Sequence, residues 1–230
     1  DGTLEGFKTD PKLAIPGADT MELLNELAAD VKNSLVIISG RDKTTLGEWF
    51  GKMPITLIAE HGAFMKRANS NEWQMRIMGS SEWKKELLPV LHDFTRRCPL
   101  SFIEEKEHSI AWHYRKCDDE LGFIRSRQLI DTIANINPQI LAIDGRKVIE
   151  FKVEDFNKGE AALKMRSEAK YDFVLAIGDD RTDEKMFEAL RDDCTIKVGP
   201  EFTNAKYRLA NHLNVKAFLK QLGLPRTIAA

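Results

Sequence analysis

Short apolar runs alternate with helix-period patterns at both ends of the chain, and the middle third follows a different rule. Between about Asp19 and Lys32, Leu23, Leu24, Leu27 and Val31 fall at i, i+1, i+4 and i+8, the stripe of an amphipathic helix. Leu35 to Ile38 is an apolar run of strand size, and a short helical segment from Thr44 to Phe50 leads to a second run, Thr56 to Ala59. Strand, helix, strand in that order predicts parallel pairing. The same order returns downstream: a helix from Lys158 to Glu168, the run Phe173 to Ile177, a helix from Asp183, and a strand from Thr195 to Val198. Both ends are expected in one doubly wound, Rossmann-like parallel sheet of the α/β class.

The middle predicts a helix from Glu82 to Arg96, strands Ser101 to Lys106 and Ser109 to Arg115, a helix from Glu120 to Ala134, and strands Gln139 to Asp144 and Lys147 to Phe151. Asp144-Gly145 between the last two is a hairpin turn signal. Paired strands with intervening helices predict a smaller α+β domain, residues 80–155, inserted into a core of residues 1–79 and 156–230.

Composition narrows the function classes. The 230 residues are 43% hydrophobic and 30% charged with a formal charge of −2, which excludes a disordered or coiled-coil chain. No basic block marks a nucleic-acid partner, and no apolar run approaches the roughly 20 residues of a membrane helix. Cys98, Cys117 and Cys194 are widely spaced with no CxxC, which fits a reducing, cytoplasmic setting. The chain opens on Asp1-Gly2-Thr3-Leu4 with neither Met nor an apolar leader, so a fragment or trimmed chain is expected.

Three polar segments directly follow apolar strands: Ser39-Gly40-Arg41, Glu60-His61-Gly62 and Gly178-Asp179-Asp180. In an open α/β sheet ligands bind at the carboxyl ends of strands, so these segments are expected to form one site. Asp179, Asp180 and Asp183 are crowded carboxylates with no Cys or His partner, an oxygen set suited to Mg²⁺ rather than zinc. Ser39 and the Gly40 amide offer hydrogen-bond donors, and Lys158 at a helix start offers a point charge for a phosphate. Each signal has a plainer reading. Asp183 could cap the helix after it, Lys158-Gly159 could be a solvated loop, and Glu104, Lys106, Glu150 and Lys152 could form the solvent face of alternating strands. His113, between Trp112 and Tyr114, reads more simply as a satisfied strand histidine than as a ligand.

The joint order decides between these readings. Asp1 to Leu4, Ile38 to Arg41, Lys158-Gly159 and Gly178 to Glu184 resemble the four motifs of the haloacid dehalogenase superfamily. Ala59 to Ala63, Glu104-x-Lys106 with His113-Tyr114-Arg115, and Glu150-Phe151-Lys152 resemble the cap signatures of its trehalose-6-phosphate phosphatases. The resemblance implies Mg²⁺-dependent hydrolysis of a sugar phosphate through an aspartyl-phosphate. It implies metal contacts from Asp1, Asp179 and Asp180, with Thr182 and Asp183 supporting them. Thr3, Ser39, Gly40, Arg41 and Lys158 would hold the phosphoryl group, with catalytic roles for Asp1, Ser39 and Lys158. His61, Gly62, Glu104, Lys106, Glu150 and Lys152 would read the sugar. The family motif is Asp-x-Asp-Gly-Thr, its first aspartate being the nucleophile. Here the chain starts at the second, so the nucleophile is expected upstream of Asp1. Free-standing enzymes and synthase fusions both fit. The alternatives are a phosphatase for another sugar phosphate, a non-catalytic module attached to a synthase, and a phospho-acceptor signalling domain, against which the insert argues.

Overall fold

The computed structural model describes residues 2–8, 13–76, 82–153 and 156–223. Helix α1 (Ala18–Ala29) buries Leu23, Leu24 and Leu27. It stops where Asp30 turns extended, which leaves Val31, the last residue of the apolar stripe, 97% exposed. β1 (Val36–Ile38) follows, then α2 (Lys43–Phe50), whose first turn is capped by the Asp42 carboxylate accepting the Thr45 N–H. β2 (Thr56–Ala59) is wholly buried and runs parallel to β1. Two strands that the apolar pattern does not reveal extend this sheet, β3 (Phe64–Lys66) antiparallel to β2 and β4 (Trp73–Met75) antiparallel to β3.

Downstream, α5 (Lys158–Ser167) precedes β9 (Leu175–Gly178), a 3-10 turn at Arg181–Asp183 precedes α6 (Glu184–Ala189), and β10 (Cys194–Val198) lies between β9 and β11 (Tyr207–Leu209), all parallel. The C-terminal α7 (His212–Gly223) is tied to α1, its Lys216 ammonium 2.9 Å from the Asp19 carboxylate. The expected α/β core, with parallel strands β1-β2 and β9-β10-β11 flanked by helices, is present. Among the described residues β1 pairs only with β2 and β9 only with β10. Their free edges border a cavity of about 580 Å³ lined by Val36, Ile37 and Ile38 on one side and Leu175, Ala176 and Ile177 on the other. The apolar residues of β1 are half-buried. The fold remains α/β.

Between the halves, α3 (Trp83–Arg96), β5 (Phe102–Glu105), β6 (Ile110–His113), α4 (Asp119–Ile136), β7 (Leu141–Gly145) and β8 (Val148–Lys152) form an antiparallel sheet in the order β5-β6-β8-β7 with two helices. Trp112, Ile149 and Phe151 pack with Leu87, Leu91, Phe94, Leu129 and Ile133 of the helices. Side chains alternate across a strand, so this core turns Glu104, Glu150 and Lys152 to the opposite face. Glu150 and Lys152 are buried there rather than solvated. Among the described residues no helix is long and apolar enough to cross a membrane.

Candidate active site

The strand ends are laced together before any side chain is considered. Beyond β1, the Ser39 carbonyl accepts the His61 N–H and the Arg41 carbonyl accepts the Glu60 N–H, both at 2.9 Å. Glu60 and His61 hold left-handed backbone (φ 45° and 57°), a conformation that costs about 1 kcal/mol or more for such residues and that puts both buried side chains at the sheet edge. Gly62, at φ 129°, completes the turn. The Ser39 hydroxyl accepts the Arg41 N–H at 3.2 Å, and the Arg41 guanidinium stacks 4.5 Å from the Trp49 ring centroid. A Cβ on Gly40 would stand 2.5 Å from His61 Nε2, so only glycine lets the loop approach that imidazole.

Beyond β9, a Cβ on Gly178 would overlap Asp183, and that close approach lets the loop fold onto one carboxylate. Asp183 Oδ2 accepts the N–H groups of Asp179 and Asp180 at 2.9 Å each, and its Oδ1 receives the Lys158 ammonium at 2.7 Å. Burial alone would pull Lys158 down, but Asp183, helped by Asp180 and Asp179, holds it raised. Burial likewise lifts Asp183, and Lys158 reverses that and holds it lowered. The pair is therefore ionised. Lys158 opens α5, whose first turn is capped by Asn157 accepting the Glu160 N–H. The Asp180 carboxylate accepts the Arg181 N–H and closes a reciprocal cap with Asp183.

Asp179 differs. Its Oδ1 accepts the Thr3 hydroxyl at 2.5 Å, yet burial, reinforced by the Asp183 charge, pushes its carboxyl up to about 6 against that bond. An ionised carboxylate held at such a position is what a divalent cation stabilises. Of the carboxylates in this loop, Asp183 is committed to Lys158 and Asp180 to its cap, while Asp179 accepts the Thr3 hydroxyl. Asp1 lies outside the described residues. Among the described residues no three acidic, His or Cys side chains form a ready metal cluster.

The face of the inserted sheet meets this edge through one buried network. Glu150 Oε1 accepts the Lys106 ammonium at 2.9 Å and the Ser109 hydroxyl at 2.5 Å, and Oε2 lies 2.9 Å from His61 Nε2. Lys106 also donates to the Gly40 carbonyl at 2.9 Å. Burial raises Glu150, but Lys106 and then His61 overcome it and hold its carboxyl well below the usual range. Glu104 pairs with His113 Nε2 at 2.7 Å, so His113 is a partnered strand histidine. Lys152 donates to the Phe156 carbonyl and sits 4.1 Å over the Phe156 ring.

Thr3, Ser39, Arg41, Lys158, Asp179 and Asp183 all line the 580 Å³ cavity. A second cavity of about 450 Å³ under the inserted sheet is lined by His61, Lys152, Lys158, Thr182 and residues of β7. Lys158 borders both. Sequence reasoning passed over Ser109, which sits in the turn between β5 and β6 where a serine carries no chemical signal, and Asn157, whose position before a helix-starting lysine was a readable cap.

Residues 1–220 match the trehalose-phosphatase family. The chain is 37% identical over 228 residues to the bifunctional trehalose-6-phosphate synthase/phosphatase of Thermoproteus tenax, covering 98% of this chain and 31% of that protein. It is 36% identical over 214 residues to the trehalose-phosphatase of Saccharomyces cerevisiae, covering 83% and 24%. The C-terminal domain of C. albicans trehalose-6-phosphate phosphatase superposes with a TM-score of 0.91 at 31% identity, over 97% of this chain and 89% of that one. The chain thus spans less than a third of the length of these two curated relatives. Strand-end loops, buried lysine and match over nearly the whole length agree: the chain belongs to the trehalose-phosphatase family.

Proposed function

We propose that the protein hydrolyses trehalose 6-phosphate to trehalose and phosphate through an aspartyl-phosphate. The observation that carries this is the convergence of Ser39, Lys158, Asp179 and Thr3 on one cavity, with Lys158 shared by the second cavity beneath the inserted sheet. The family motif Asp-x-Asp-Gly-Thr puts the nucleophile two positions ahead of Asp1, and an aspartate there would supply the carboxylate oxygen that bonds to phosphorus as the bond to the sugar oxygen breaks. Asp1 gives that oxygen its proton, then takes one from the water that attacks the aspartyl-phosphate and returns the free carboxylate. Ser39, the Gly40 amide and Lys158 hold phosphoryl oxygens in fixed positive potential, with Thr3 and Arg41 at their rim. Asp179, Asp1 and Asp180 would hold a divalent cation, Mg²⁺ by the hardness of these oxygen donors, which would supply charge neutralisation during the transfer. Asp183 and Thr182 support that loop.

Residues 80–155 act as a cap that selects the sugar and excludes bulk water, reading hydroxyls through Glu104, Lys106, Glu150, Lys152, His61 and the Gly62 turn. The synthase named in the Thermoproteus tenax relative supports a fused or associated synthase as partner. Three free cysteines support a reducing, cytoplasmic location.

Glu104 gives the cleaner test of sugar reading, because removing Lys106 strands the buried Glu150 charge. Glu104→Ala lowers kcat/KM for trehalose 6-phosphate by about 10²-fold or more while changing turnover of a small aryl phosphate by less than about threefold. Steady-state kinetics on both substrates check this. Equal losses on the two would assign Glu104 to structure alone.

A further inference from the structure

Lys197 lies in the middle of β10, 2% exposed, in a run otherwise made of Thr195, Ile196 and Val198. A buried ammonium is destabilising unless paired, so its partners show what holds it there. It sits opposite Gly178 in the β9–β10 register and donates to the Asp179 carbonyl at 2.7 Å. Its counter-charge is Glu184 Oε1, an ion pair at 3.5 Å to a buried oxygen that has no hydrogen-bond partner. The other oxygen, Oε2, accepts the Asn204 N–H at 2.8 Å and the Thr203 hydroxyl at 3.2 Å. Lys197 lines neither cavity at the site.

The N–H of Asp179 is fixed by Asp183, and its C=O is fixed by Lys197. Both peptide groups flanking the Asp179 side chain are thereby anchored, one by a carboxylate and the other by an ammonium. We propose that Lys197 is a positioning residue that sets the Asp179 carboxylate for cation binding by holding its main chain from beneath the loop. The lysine also links the loop, through Glu184, to the turn at Thr203 and Asn204, so three segments share one buried charge. This rests on the reading of Asp179 as a metal ligand.

The test is calorimetric titration of the full chain with Mg²⁺ alone, alongside thermal melts without metal. Lys197→Met weakens Mg²⁺ binding by about tenfold or more, and Lys197→Gln, which keeps a donor but no charge, weakens it by about threefold. If Lys197→Met does not fold, Lys197→Gln carries the test. Lower melting temperatures with Mg²⁺ affinity equal to the parent's would overturn the proposal and leave Lys197 a structural residue only. A parent chain with no measurable Mg²⁺ affinity would overturn the metal reading itself, a separate failure.

Discussion

In a protein carrying an aspartate two positions ahead of Asp1, Asp179→Asn lowers trehalose 6-phosphate turnover by about 10³-fold, yet in the 230-residue chain without Mg²⁺ it raises the melting temperature at pH 7. The first effect follows from losing a carboxylate of the β9 loop. The second follows from electrostatics. Burial pushes the Asp179 carboxyl from an ordinary 3.8 up to about 6, so the folded state binds its proton more tightly than the unfolded chain does. Below 3.8 both states are protonated and the group imposes no penalty. As pH rises through about 6 the folded state must carry a desolvated charge, a penalty on the order of 3 kcal/mol that is complete by pH 7. Asparagine keeps the shape, accepts the Thr3 hydroxyl and carries no charge. The variant therefore melts about 6–12 °C above the parent at pH 7, and the gap closes toward pH 4. Mg²⁺ raises the parent's melting temperature and leaves the variant's unchanged. A variant that melts below its parent at pH 7 would contradict this.

The second large effect concerns the network between core and insert. Glu150→Gln takes from the buried Lys106 ammonium the charge that holds it most strongly, leaving the Gly40 carbonyl, a neutral amide and the more distant Glu104 and Glu60, and destabilises the fold by about 3 kcal/mol at pH 7. Burial opposes the Glu150 charge, and Lys106 with His61 overrides burial, so the folded carboxyl lies well below its unfolded value of 4.5. The stabilisation is therefore present above pH 4.5 and disappears as pH falls through the depressed folded value. Urea unfolding at pH 7 shows the full difference between parent and variant, and unfolding in the acid range below pH 4.5 shows it narrowing. Replacing both residues, Lys106→Met with Glu150→Met, removes the unpaired charge and restores most of the stability while trehalose 6-phosphate turnover stays lost. Recovery of turnover with stability would show the network to be structural.

How much of this was legible in the sequence depends on what local pattern can encode. The loops at Ser39, Glu60 and Gly178 were readable because each follows a clean apolar run, and Lys158 because it starts a periodic helix. β3, β4 and β11 are three residues each, too short to establish a period, and Phe64-Met65-Lys66 shows no alternation. Val31 fitted the apolar stripe, but the backbone leaves helical geometry at Asp30. Alternation in β8 identified Glu150 and Lys152 as facing away from the cap core, and could not distinguish a solvent face from a face laid against a second layer. Strand order is set by long-range packing, which local pattern does not encode: the parallel pairing of β1 with β2 was readable, and the place of β11 beside β10 was not. Lys197 carried a signal that went unread: a lysine inside an apolar strand requires a buried partner.

Phosphate release from trehalose 6-phosphate in the presence of Mg²⁺ tests the whole account, comparing the chain extended to place an aspartate two positions ahead of Asp1 with the same chain bearing asparagine there. Catalysis at the converged strand ends predicts release by the aspartate form and a rate lower by at least about 10³-fold for the asparagine form. Equal rates from the two, or release from neither, would contradict it.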